Sequence, residues 1–181
     1  MKEIRQQKKQ PEVIRKRILE QATILVSQKG ISGVSIQNIA TAVGITKGGV
    51  FHHFPNKKNL IEEMFNQIIL DLDQTVEYLI KRDQTEYGKF TRAYIHSSFI
   101  HQIDGVVSAW SALSMTMITE PTFNKIWMEW LKNRLSQHAE TDSHPDLELL
   151  RLAADGLWLQ SITGVIDDEQ MLENNFIVGL F

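Results

Sequence analysis

Cysteine is absent from the 181-residue chain. That excludes a thiolate nucleophile, a cysteine-based zinc site and a redox switch, and nothing in the chain requires an oxidising compartment. Long apolar runs are missing too. No segment approaches the roughly 20 uncharged apolar residues of a membrane span, and Met1 to Glu12 is polar and basic with no apolar stretch behind it. Neither a membrane association nor a secretory signal is expected, so a cytoplasmic location is the default.

There is also no Walker-type phosphate loop, no Gly-x-Ser-x-Gly elbow and no dinucleotide fingerprint. Six histidines are present, but His52 and His53 are adjacent, His96 and His101 are off a common helix face, and His138 and His144 flank a predicted loop. No metal site, no cofactor and no catalytic residue is expected, and the chain does not read as an enzyme.

Hydrophobic residues make up 43% of the chain, enough for a core in one compact unit or two small ones. The formal net charge of −3 conceals an asymmetry. Up to Lys58 there are eleven basic residues against Glu3, Glu12 and Glu20, a surplus of +8, whereas the remainder holds eight bases against nineteen acids, or −11. Such a division suits a polyanion-binding head on an acidic body, and equally a solvated basic face. Two domains follow, a head over 1–58 and a body over 59–181.

The apolar pattern has helical period almost throughout, which predicts an all-α protein. Helix one is expected from about Glu12 to Lys29, with Gly30 ending it in the left-handed conformation. Ser35 caps a second helix carrying Ile36, Ile39, Ala40 and Val43, which Gly44 stops. Thr46 caps a third that must finish near Phe54 because Pro55 disfavours helical geometry before it. Asn56 begins a long fourth helix reaching about Arg82. Further helices are expected at about Tyr87 to Gln102, Val106 to Ile118, Pro121 to Ala139, Pro145 to Val165 and Asp168 to Leu180, with the polar stretch Glu140 to His144 as punctuation.

Two short helices joined by a glycine-containing turn and preceded by a packing helix describe a helix-turn-helix, here over about 35–54. Ala40 is small where the helices cross, Gly44 takes the turn's positive φ, and Ile45 with Val50 closes the miniature core. The second helix then offers Lys47, Gly48, Gly49, Phe51, His52 and His53 on or near its outer surface. Two adjacent helical glycines cost roughly 1 kcal/mol each, which makes sense if another molecule must approach the backbone closely. Lys57 and Lys58 stand in the first turn of helix four, where the dipole disfavours cations. Free amides and two lysines there form an anion site that suits DNA phosphate.

The stretch from Ile14 to Phe65, with Ser35-Ile36-Gln37-Asn38-Ile39-Ala40, Val43 to Phe54 and Asn56-Lys57-Lys58-Asn59-Leu60, resembles the DNA-binding domain of the tetracycline-repressor (TetR) family of bacterial transcription regulators. The resemblance implies that Thr46 to Phe54 enters the major groove. Thr46 and Lys47 would meet base edges or adjacent phosphates, Gly48 and Gly49 would allow close approach, and Phe51, His52 and His53 would contact sugar-phosphate. Ser35 and Lys57 would clamp the backbone on either side. One departure stands out: Lys58 and Asn59 replace the acidic residue that many members have after the helix-four lysine, which weakens the helix cap and would add a phosphate contact at Lys58.

The resemblance further implies a ligand-responsive repressor, a homodimer on a palindromic double-stranded DNA operator that a small-molecule effector releases. Alternatives are an all-helical small-molecule-binding protein or an enzyme without DNA recognition. In the body, the run Leu149 to Leu159 is apolar almost all round, and a helix greasy on two faces needs two partners. The last two helices are therefore the candidate dimer interface, with Ala153, Ala154, Leu157, Trp158, Ile162 and Phe176; burial within one monomer is the alternative. From Val106 to Thr119 no residue is charged. Ser114, Met115 and Met117 on that segment, with Tyr94, Phe99, Trp110 and Trp127, are candidates for an effector pocket. Ordinary core packing is the alternative, and the pocket rests mainly on the resemblance.

Overall fold

The structure, a computed structural model, describes residues 2–98, 102–103, 106–107, 113 and 119–162, with side chains for 11–98, 113 and 119–160. The fold is all-α, as the apolar period predicts. Helices α1 (Lys2–Lys29), α2 (Ile36–Val43), α3 (Lys47–His53), α4 (Lys57–Arg82), α5 (Lys89–Ser98), α6 (Pro121–Gln137), α7 (Ala139–Asp142) and α8 (Pro145–Ile162) follow in order. A two-residue antiparallel pair, β1 (Gln102–Ile103) with β2 (Val106–Val107), interrupts them.

Four boundaries differ from expectation. The helix expected from about Tyr87 to Gln102 is α5, Lys89–Ser98, and Gln102 belongs to β1 instead. α1 begins at Lys2 rather than near Glu12 and continues through Pro11, because its first turns are Lys, Glu, Arg and Gln, all good helix formers that extend an already packed helix. No helix starts at Val106, since Val106 and Val107 pair with Gln102 and Ile103; two β-branched residues behind a glycine favour a tight hairpin. The polar stretch Glu140 to His144 overlaps the short helix α7, which begins at Ala139, and Asp142 at its end is only 1% exposed. The expected helix from Asp168 to Leu180 lies outside the described residues.

The chain forms two compact units, Met1–Ile69 with Ala112–Ile126, and Leu70–Ser111 with Trp127–Phe181. In the first, Ile18, Ala22, Ile39, Ala40, Val50, Phe54, Leu60, Met64 and Phe65 are fully buried, each large side chain contributing roughly 1.5–3 kcal/mol. Phe65 stacks on Phe123 with ring centroids 4.2 Å apart. In the second, Phe90, Tyr94, Ile95, Trp127 and Leu147 are buried. There Arg134 donates to Asp73 at 2.7 Å and also to Glu77, and Trp130 Nε1 donates to Asp73 at 2.5 Å. Burial alone would lower the Arg134 pKa, but the bonds to Asp73 and Glu77 outweigh it and raise the pKa. No helix among the described residues is long and apolar enough to cross a membrane.

Candidate nucleic-acid interface

Each end of the helix-turn-helix is set by a side chain next to it in sequence. Ser35 and Asn38 form a reciprocal capping box: the Asn38 amide donates to Ser35 Oγ at 3.1 Å and the Ser35 amide donates to Asn38 Oδ1 at 3.2 Å. Gly44 ends α2 with φ 77°, a conformation that side chains other than glycine resist, and its N–H returns to the carbonyls of Ala40 and Thr41. Thr46 Oγ1 then accepts the Gly49 amide at 3.0 Å and starts α3. Ala40 and Val50 are fully buried at the crossing, with Ile45 half-buried beside them.

That burial decides which face of α3 is left open. Val50 points inward, so Lys47, Gly48, Phe51 and His52 are exposed while Gly49 and His53 are half-buried. The Lys47 ammonium lies 5.8 Å from the Phe51 ring centroid, a cation–π contact at an open surface. His52 and His53 meet edge to face at 5.3 Å. His53 is held below its ordinary pKa by burial first, then by His52 and Arg15. It is therefore the neutral imidazole near pH 7, able to donate one hydrogen bond and accept another.

The glycines of α3 have no structural duty. Neither has a positive φ. A methyl at Gly48 would approach only Thr46 Oγ1, at 3.8 Å, and one at Gly49 would meet Ile45 and Thr46 at ordinary contact distances of 3.5 Å or more. The fold has room for alanine at both positions and forgoes its helix propensity.

At the head of α4, Asn56 caps the Asn59 amide at 2.8 Å, and no acidic residue stands in the first turn. Lys57 is half-buried and its Nζ donates to the Ile31 carbonyl at 2.7 Å, a bond the sequence did not reveal because its partners are 26 residues apart. Lys58 is exposed, 4.0 Å from Glu62. Both lysines border a cleft of about 260 Å³ lined also by Ile31, Ile61, Phe65, Glu120 and Thr122. Ser35, Thr46, Lys47, Gly48, Gly49, Phe51, His52, His53, Lys57 and Lys58 thus all belong to the first unit.

The body residues are only partly described. Tyr94 and Trp127 are both buried, with ring centroids 6.1 Å apart, and Trp127 continues to Trp130 at 5.0 Å. Phe99, Trp110, Ser114, Met115 and Met117 lie outside the described residues. The Tyr94 hydroxyl donates to Asp155 Oδ1 at 2.6 Å; desolvation raises the pKa of both groups, and the Asp155 charge raises that of Tyr94 further. On α8, Ala154 and Trp158 turn into the second unit, Leu157 is half-buried and Ala153 is exposed. The open face of α8 instead carries Leu149 and Leu152, 66% and 61% exposed, together with Ala153 and Gly156. The side chain of Ile162 and the whole of Phe176 are outside the described set. Among the described residues no group of three or more His, Cys, Asp or Glu could hold a metal ion.

Comparison with known proteins bears on both units. Residues 18–64 match the model of the bacterial regulatory proteins of the tetR family, and residues 88–176 match that of the tetracyclin repressor-like C-terminal domain. Over 158 residues the chain is 27% identical to the HTH-type transcriptional regulator BetI 1 of Chromohalobacter salexigens, covering 81% of this chain and 78% of that one. Among solved structures, one assigned to the tetR family from Shewanella sp. PV-4 superposes with a TM-score of 0.69 at 19% identity, covering 93% and 94% of the two chains. The structure of AibR in complex with isovaleryl coenzyme A and operator DNA superposes at 0.61 with 22% identity, covering 89% and 95%.

Proposed function

Because the chain belongs to the tetR family of bacterial regulatory proteins, it is a DNA-binding transcriptional regulator, and we propose that it acts as a homodimeric repressor on a palindromic operator and is released by a small molecule. The family consists of regulators, not enzymes. The observation that carries the proposal is the open face of α3, where two glycines unexplained by the fold lie between Lys47 and Phe51. A bare backbone flanked by a cation and an aromatic ring suits the floor of a major groove.

In this reading Thr46 and Lys47 meet base edges or nearby phosphates, while Phe51, His52 and His53 lie against sugar-phosphate. Ser35 and Lys57 clamp the strand on either side, and Lys58 adds one further phosphate contact. The basic head over 1–58 approaches the duplex and the acidic body over 59–181 stays off it.

A single recognition helix as short as α3 reads few base pairs, so specific binding calls for a second copy and a symmetric site. The exposed stripe of Leu149, Leu152, Ala153 and Gly156 on α8, with spacings of three, four and seven, supports self-association through that helix, its small residues admitting close approach. Tyr94 and Trp127 are the described members of the proposed effector pocket. Isovaleryl coenzyme A and operator DNA are the partners in the AibR structure, and a small molecule is the proposed effector of this protein. Effector binding lowers operator affinity, and by linkage operator binding lowers effector affinity by the same factor.

A gel-shift titration on the region upstream of the protein's own gene tests the reading. A shift that weakens steeply with salt and is reversed by a compound that quenches body tryptophan fluorescence is expected. No shift at any promoter tested would sink it.

A further inference from the structure

The first turns of α1 are rich in basic residues. Pro11, Glu12 and Val13 are exposed, Ile14 is half-buried, and Ile18 is the first fully buried residue of the described part of this helix. Yet α1 runs back to Lys2, and at 1.5 Å per residue the stretch from Lys2 to Val13 measures about 18 Å. It holds Lys2, Arg5, Lys8 and Lys9 against Glu3 and Glu12. Lys2, Arg5, Lys9 and Lys16 follow one another at intervals of three, four and seven, which places all four positions on one face of a continuous helix. Lys16, the described member of that row, has a side chain 79% exposed.

The packing of α1 fixes where this stretch starts. Arg15 places its guanidinium carbon 5.0 Å from the ring centroid of Phe54, the residue that closes α3. Arg17 donates to the Val43 carbonyl at the end of α2 at 3.1 Å. The basic stretch therefore departs from beside the C-terminal end of α3, next to His52 and His53.

From this placement we propose that the first three turns of α1 form a second nucleic-acid-binding element, which lies along the phosphate backbone flanking the bases met by α3, with Lys2, Arg5 and Lys9 each neutralising a phosphate. The proposal rests on the DNA-binding reading of α3 and extends it outside the helix-turn-helix. Successive members of the row rise by about 4.5 and 6 Å, which is one to two nucleotide steps at about 3.4 Å per step. A row of cations with that rise follows one strand without reading bases. It contributes affinity by counterion release and adds no sequence preference.

The test uses the full chain with Lys2→Gln, Arg5→Gln and Lys9→Gln combined, since glutamine keeps helix propensity while removing charge. Equilibrium binding to random-sequence duplex DNA is measured against salt concentration for this variant and the unaltered protein, with far-UV circular dichroism and thermal melting as folding controls. With folding unchanged, the slope of log affinity against log salt should fall by about 2.7 per subunit, about 0.9 for each lost phosphate contact. An unchanged slope in the variant, beside salt-dependent binding by the unaltered protein, overturns the proposal alone. Absence of salt-dependent binding by the unaltered protein overturns the DNA-binding reading and this element with it.

Discussion

Lys57 is bonded to the backbone of Ile31, its Nζ 2.7 Å from that carbonyl, so the first turn of α4 is fastened to the loop that follows α1. An ammonium has three donors, and two remain for a phosphate. Lys57→Ala should therefore do two things at once. It should lower stability by about 1 kcal/mol through the lost charge-assisted bond, and it should flatten the salt dependence of DNA binding by about one unit of slope. Lys58→Ala, which loses only an exposed pairing with Glu62, should flatten the slope without moving the unfolding midpoint. Paired urea titrations and binding isotherms check both; equal stability in the two variants would remove the structural role given to Lys57.

Gly48→Ala separates stability from function. A methyl at Gly48 has room in the folded protein, so the substitution should stabilise it by roughly 1 kcal/mol through helix propensity. If α3 lies against DNA, the same methyl should weaken operator binding at least tenfold. A stabilised variant with unaltered affinity would mean that no surface comes close to α3 at that position.

The boundaries of the helix-turn-helix were legible because Ser35, Gly44, Thr46 and Asn56 act on amides or turns within three residues of themselves. Features made by distant partners were not. Asp142 sits in a stretch that reads as polar punctuation, yet its carboxylate accepts from the amide and hydroxyl of Thr91, 51 residues away. On α8, composition shows a helix apolar on two sides without saying which side the monomer takes. Ala154 and Trp158 went inward, and Leu149 and Leu152 stayed out. At α1 the apolar period begins only at Ile14, which put the expected start near Glu12, although a run of good helix formers on both sides of Pro11 continues the helix back to Lys2.

Asp142 gives a stability prediction for the second unit. Its carboxylate accepts the Thr91 amide at 2.8 Å, the Thr91 hydroxyl at 2.7 Å and the Phe90 amide at 3.3 Å, which caps the buried start of α5. Asp142→Ala leaves these donors without an acceptor and should cost about 3 kcal/mol. Asp142→Asn, which keeps one acceptor oxygen, should cost distinctly less. Chemical denaturation followed by tryptophan fluorescence reports the effect, because all four tryptophans lie beyond residue 58.

His138 supplies a pH dependence. Its ring stacks on Phe90 with centroids 5.3 Å apart, and burial, reinforced by Arg134 and Lys89 against Asp142 and Glu77, holds its pKa below 6.5. Because the folded state disfavours the protonated ring, this contribution to stability is complete above pH 6.5 and is lost as pH falls through that value towards the folded pKa. His138→Phe should flatten the decline in melting temperature between about pH 7 and 5. An identical decline in the variant would assign it to other groups.

Selection of bound DNA from a random pool by the full chain tests the regulator reading most directly. The expected outcome is an enriched palindrome whose half-sites are separated by about one helical turn or a multiple of it, lost on Lys47→Ala or Gly48→Ala. Enrichment of no sequence, or of a motif unaffected by both substitutions on α3, would contradict the assignment of that helix as the element that reads DNA.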